Sequence, residues 1–240
     1  MTNHKLDELV QKLKAAAADN LKAVILYGSA ATEEFHSKHS DLNLLCLVNQ
    51  ADAAHLEALH GPVEWWIRRG QRPPLVFTLG ELRRSADVFT IELLDMKSRH
   101  RILYGENVLA EISVPLHYHS IQVERELRTD WLRLRQAILA APKKSNLYVE
   151  LMVSSFSAFA ALFRHALIAL GQAPAETKRE AIDRIAQFAG ADPAGFQTIF
   201  KLREGKLRER DIDVENTLNQ YFAFVEAVTE KFDWQLDAKK

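Results

Sequence analysis

Between Ala23 and Val48 the chain reads AVILYGSAATEEFHSKHSDLNLLCLV, and no other stretch restricts its fold as strongly. Two short apolar runs, Ala23 to Tyr27 and Leu42 to Val48, enclose a polar connection that opens with Gly28-Ser29 and closes with Asp41. Runs this short, bounded by turn residues, are predicted as buried strands and not as parts of a helix. A glycine directly after a strand lets the backbone turn sharply and come close to a ligand, and a neighbouring serine offers its hydroxyl to a phosphate oxygen. Asp41 and Asn43 are two apart at the start of the second run. Side chains so spaced on a strand share a face, so both are predicted to reach into one cleft above Gly28-Ser29.

A strand ending in Gly-Ser, a spacer, and then Asp-hydrophobic-Asp/Glu opening the next strand resembles the nucleotidyltransferase superfamily of DNA polymerase beta and kanamycin nucleotidyltransferase. The resemblance covers about the first 110 residues, and the strand-turn-strand context makes it more specific than Gly-Ser alone. It implies that the Gly-Ser turn holds a nucleoside triphosphate, and that an acid pair with a third acid from a later strand holds two magnesium ions. Gly28, Ser29 and Asp41 match this pattern, while Asn43 stands where the family has an acid. The next predicted strand, Leu75-Val-Phe-Thr78, carries no acid; Glu64, Glu92 and Asp95 lie nearby in sequence, and a different strand assignment would bring one of them in. Transferred residue by residue, the resemblance makes Asp41 the catalytic acid and main metal ligand, with Asn43 offering a carbonyl oxygen. Gly28, Ser29 and Asn43 would contact the nucleotide. The implied cofactors are Mg2+ and a nucleoside triphosphate, with ATP first.

Nucleotidyl transfer lines an acceptor oxygen up with the α-phosphate and needs divalent metal to neutralise charge on the attacking and leaving oxygens. Magnesium takes hard, charged oxygen ligands, so one carboxylate in place of two weakens a second metal position. The expected function is binding of a magnesium nucleotide at the Gly-Ser/Asp site, with transfer of a nucleoside monophosphate to a hydroxyl acceptor as the implied activity. The alternative is a catalytically weakened nucleotidyltransferase fold that serves as a nucleotide-binding or protein-interaction module. Whether the chain is an enzyme turns on Asn43.

The rest of the sequence sets the frame. Basic and acidic residues number 31 and 32, a net charge of -1, which argues against a general grip on nucleic acid. The single cysteine, Cys46, falls inside an apolar run, so an internal disulfide is excluded and a buried thiol expected. No signal-peptide pattern and no unbroken apolar stretch of membrane-spanning length is read, so a cytoplasmic protein without membrane contact is expected. The partners expected are a nucleotide and a small-molecule or protein acceptor, with a homodimer left open.

Mixed strand and helix signals run to Ile112: a helix over residues 4 to 19, the two strands, a helix over 51 to 69 broken at Gly61-Pro62, a strand at 75 to 78, a short helix at 81 to 85 and a strand at 101 to 104. From His117 the periodicity is helical throughout, with five helices, the second of them, from Leu147, apolar nearly all round. The fold class is therefore α+β, a small nucleotidyltransferase-like domain over 1–112 followed by an all-helical bundle over 117–236. Further candidates are weighed against plainer roles. Lys97, Arg99, His100 and Arg101 form a basic cluster that suits phosphates or an ordinary solvated loop, as do Arg68, Arg69 and Arg72. Trp65 and Trp66 could stack a base or fill the core. His36 and His39 lie in the connection without metal-pair spacing, and Glu150 is a candidate general base or an ion-pair member in the bundle.

Overall fold

The computed structural model describes residues 2–31, 42–141 and 146–238, with the side chains of residues 2, 3 and 29 left aside. It divides into two compact units, Met1–Pro115 and Leu116–Lys240.

The first unit opens with α1 (Thr2–Ala17), whose Leu6, Leu9, Val10, Leu13 and Ala17 recur at helical spacing and are all buried. β1 (Leu21–Tyr27) and β2 (Asn43–Val48) follow, then α2 (Ala53–Ala58), α3 (His60–Ile67), β3 (Leu75–Thr78), α4 (Leu79–Arg84), α5 (Thr90–Ser98) and β4 (His100–Gly105). Among the described residues the strands form one four-stranded sheet in the order β3-β2-β1-β4. β1 is antiparallel to both β2 and β4, and β3 runs parallel to β2.

Alternation along the central strands builds two apolar layers. Val24, Leu26, Leu44, Cys46 and Val48 face α1 and α3, where Trp66 is fully buried. Ala23, Ile25, Leu45 and Leu47 face the other way, against Leu82, Ala86, Leu93 and Met96 from the α4–α5 region. Cys46 is buried, as expected, and burial pushes its thiol up to about 12.

Three local readings are corrected. The helix over 51 to 69 breaks at Leu59 and not at Gly61-Pro62, because Pro62 sits in the first turn of α3, where a missing N–H leaves no bond unmade. α5 was not anticipated; its buried positions are only Thr90, Leu93 and Met96, and Phe89, Thr90 and Ile91 at its start weaken any helical signal. α4 starts at Leu79, two residues before the expected Glu81, because Thr78 caps it: Thr78 Oγ1 accepts from Glu81 N–H and the Glu81 carboxylate accepts from Thr78 N–H.

The second unit comprises, among the described residues, α6 (His119–Ala140), α7 (Leu147–Ala169), α8 (Lys178–Ala189), α9 (Ala194–Arg203) and α10 (Val214–Asp237). α7 is long and apolar enough to cross a membrane by length and composition, but α6, α8, α9 and α10 all pack on it and half of its apolar window is buried inside the protein. It is the central helix of the bundle. α9 and α10 approach so closely that a Cβ on Gly195 would lie 2.4 Å from the backbone nitrogen of Tyr221. The next ring, Phe196, stacks on Tyr221 at 4.0 Å between centroids. Thr177 caps α8 by accepting from the Glu180 N–H, and the Glu180 carboxylate accepts from the N–H of Glu176. The chain thus has the α+β class, a small mixed sheet with helices followed by helices alone.

Candidate active site

Gly28 ends β1 with φ +79, in the left-handed region that favours glycine, and the turn of 3₁₀ helix Gly28–Ala31 starts from it. Its N–H donates to the carbonyl of Arg99 at 2.9 Å, which ties the turn to the start of β4. Asn43, the first residue of β2, pairs across the ladder with Tyr27. A Cβ on Gly28 would stand 3.6 Å from the Asn43 Nδ2, so the amide lies directly against the glycine's open face. Tyr27 pairs on its other side with His100, the first residue of β4. Residues directly opposite in antiparallel strands project to one face, so Asn43, Tyr27 and His100 form a row across the end of the sheet, in the layer shared with α4 and α5.

Charged groups surround this row. The Tyr27 hydroxyl is held above its ordinary range first by burial and then by the Glu92 carboxylate, while the Arg72 guanidinium acts in the opposite direction. Glu92 on α5 and Arg72, just ahead of β3, are therefore both within electrostatic reach of Tyr27. β3 is parallel to β2, so Arg72 falls at the same end of the sheet as Asn43. The His100 Nδ1 lies 3.1 Å from the carbonyl oxygen of Lys97. Lys97 itself donates its ammonium to the Ile112 carbonyl, which commits that member of the basic cluster to structure.

The structure thus brings Gly28 and Asn43 together and adds Tyr27, Arg72, Glu92 and His100. Tyr27 was not singled out in the sequence, although it directly precedes Gly28; its row with His100 depends on the register of β4. Ser29 follows Gly28 in the turn, and Asp41, His36 and His39 lie outside the described residues. Other candidates fall elsewhere. Glu64 pairs with Arg68 at 2.7 Å on α3, which packs on the opposite layer. Trp65 lies under the Arg69 guanidinium at 3.7 Å from its ring centre and against buried Trp66, so both serve the α1–α3 layer and not a base at Asn43. Glu150 is exposed in the first turn of α7. Two concavities of the first unit, about 640 Å³ beside Thr78 and Gly105 and about 580 Å³ along β3, share no residue with Gly28 or Asn43.

Among the described residues no group of three or more His, Cys, Asp or Glu is arranged to hold a metal ion. What the described part of the site offers magnesium is the neutral Asn43 oxygen.

No protein-family model matches the chain, and no curated protein matches it in sequence. Among solved structures it is similar to spectinomycin adenyltransferase AAD(9) from Enterococcus faecialis, solved with ATP and spectinomycin, with a TM-score of 0.59 and 14% identity over 96% of this chain and 99% of that one. It is also similar to a toxin-antitoxin solved with AMP-PNP and to a mutant of the toxin-antitoxin MntA-HpeT, each with a TM-score of 0.32 and 18% identity over 52% of this chain and 95% of the other. The chain has the nucleotidyltransferase fold.

Proposed function

We propose that this protein binds a magnesium nucleoside triphosphate, ATP first among them, at the sheet end where Gly28, Ser29 and Asn43 meet, and slowly transfers its nucleoside monophosphate to a hydroxyl acceptor. The observation that carries the reading is Gly28 itself. Its left-handed backbone, anchored on Arg99, has the Asn43 amide nitrogen against the side where a Cβ would stand, so a phosphate that approaches the main chain of this turn meets an N–H donor beside it. The nucleotidyltransferase fold supports it, and so does the presence of ATP in the AAD(9) structure.

In this reading Asp41 and the Asn43 carbonyl hold the magnesium, which when bound neutralises charge on the triphosphate. Arg72 adds a cation on the polyphosphate side, and the Tyr27 hydroxyl, kept protonated, donates a hydrogen bond within the site. A second, independently bound ion lacks the acid that Asn43 replaces, hence the slow transfer. Asn43 also favours a second reading, nucleotide binding without transfer. Titration of the purified protein with ATP, with and without magnesium, tests both: binding requires the metal, Asp41→Ala abolishes that requirement and Asn43→Ala alters it little. Turnover on the order of one per second or faster would overturn the slow-transfer reading.

A further inference from the structure

We propose that His100 is the general base that accepts the proton of the acceptor hydroxyl, an inference that rests on the nucleotidyl-transfer reading above. His100 opens β4 directly opposite Tyr27, which in turn faces Asn43 across the other ladder. Ile102, two residues on, packs in the same layer as Ile25 and Leu45, which fixes the face His100 shares with the site. The residue before it, Arg99, supplies the carbonyl that holds the Gly28 N–H at 2.9 Å, so the phosphate-binding turn and the histidine move as one piece of backbone.

The ring is also held in one tautomer. Its Nδ1 lies 3.1 Å from the Lys97 carbonyl oxygen, and a carbonyl can only accept, so Nδ1 carries the proton and the neutral ring has its lone pair on Nε2. The Lys97 ammonium is fixed on the Ile112 carbonyl, so the residue that orients the ring is itself anchored. A base oriented by a third group beside a substrate site is the arrangement that activates a hydroxyl. Of the nearby acids, Glu64 is paired with Arg68 on the opposite layer.

In the step that follows, the acceptor oxygen forms a bond to the α-phosphorus as its proton passes to the His100 Nε2. The bond from the α-phosphorus to the bridging oxygen breaks, and its electron pair leaves with pyrophosphate. The imidazolium then returns its proton to solvent.

The test uses the full chain and MgATP with water as the acceptor, counting AMP and pyrophosphate, beside a direct measurement of MgATP binding. His100→Asn keeps an N–H donor for the Lys97 carbonyl and removes the base. It should lower kcat by about 10²–10⁴-fold and leave the KM and the affinity for MgATP unchanged. His100→Ala should be equally slow and regain part of its rate on addition of imidazole. An undiminished kcat in His100→Asn, a parallel loss of kcat and MgATP affinity, or a wild-type protein that binds MgATP and releases no AMP would overturn the base and leave the nucleotide site standing. A wild-type protein that binds no MgATP would overturn the nucleotide reading, and the base with it.

Discussion

Gly28 and Gly105 share a φ of +79, so an alanine at either position meets the same backbone penalty, about 1–2 kcal/mol. They differ in what a Cβ would touch. At Gly28 the nearest atom is the Asn43 Nδ2 at 3.6 Å, an ordinary contact. At Gly105 it is the Lys22 carbonyl oxygen at 2.0 Å, with the Ala23 Cα at 2.9 Å. Those are backbone atoms of β1, which cannot rotate aside as a side chain would, so β4 must lift away from its partner. Overpacking of this kind adds about 1–3 kcal/mol. Gly28→Ala should therefore destabilise the first unit by about 1–2 kcal/mol and Gly105→Ala by about 2–5 kcal/mol. Native-state hydrogen exchange of the β1 amides, Leu21–Tyr27, reads the difference directly. Opening should be about 5–30-fold more frequent in Gly28→Ala and about 5–150-fold more frequent again in Gly105→Ala, at 1.4 kcal/mol per tenfold. Equal losses of protection in the two variants would refute the steric part of the reasoning, and full protection in Gly28→Ala the conformational part.

Asn43→Asp supplies the acid that a second magnesium requires, so magnesium-dependent release of pyrophosphate from ATP should rise at least about tenfold, or 1.4 kcal/mol in the barrier; an unchanged rate would count against Asn43 as the limiting feature. Cys46 should resist a thiol reagent until the protein is unfolded. Its thiol is raised from 9.0 to about 12, so the unfolded chain loses that proton first and stability falls as pH rises through this window, by about 1 kcal/mol at pH 10, measurable in urea against a Cys46→Ser control. In the bundle, the Ser155 hydroxyl donates to the Leu151 carbonyl and accepts from the fully buried Tyr221 hydroxyl at 3.0 Å. Tyr221→Phe leaves Ser155 with that first bond and should lower the urea midpoint by the equivalent of about 1 kcal/mol; a loss above about 3 kcal/mol would mean that the hydroxyl does more than this single bond.

The parts of the fold that were legible are those whose signals are local. β3 lies at Leu75–Thr78 as read, because Pro73-Pro74 limits it on one side and the Thr78–Glu81 cap on the other. The place of that strand beside β2, and of β4 beside β1, could not be read, since sheet order is decided by long-range pairing. The site divides in the same way. Gly28 and Asn43 flank a single connection, and their juxtaposition followed from two strands and one turn. The row through Tyr27 to His100 needed the register of β4, and the place of Arg72 needed the parallel pairing of β3. Trp65 and Trp66 illustrate the opposite limit: an aromatic pair reads alike as core or stacking platform until the layer it faces is known.

The antiparallel pairing of β1 with β2 is closed by the segment from Gly28 to Leu42, and the entropy of closing a chain loop grows only with the logarithm of its length. Doubling this segment would add about 0.6 kcal/mol to the closure entropy. The central ladder, buried on both faces, would keep its register through such a change, because a one-residue slip would turn Leu44, Cys46 and Val48 toward the wrong layer. A longer connection is thus nearly neutral for the pairing of β1 with β2. A designer, or natural drift, could therefore change its length without rebuilding the sheet.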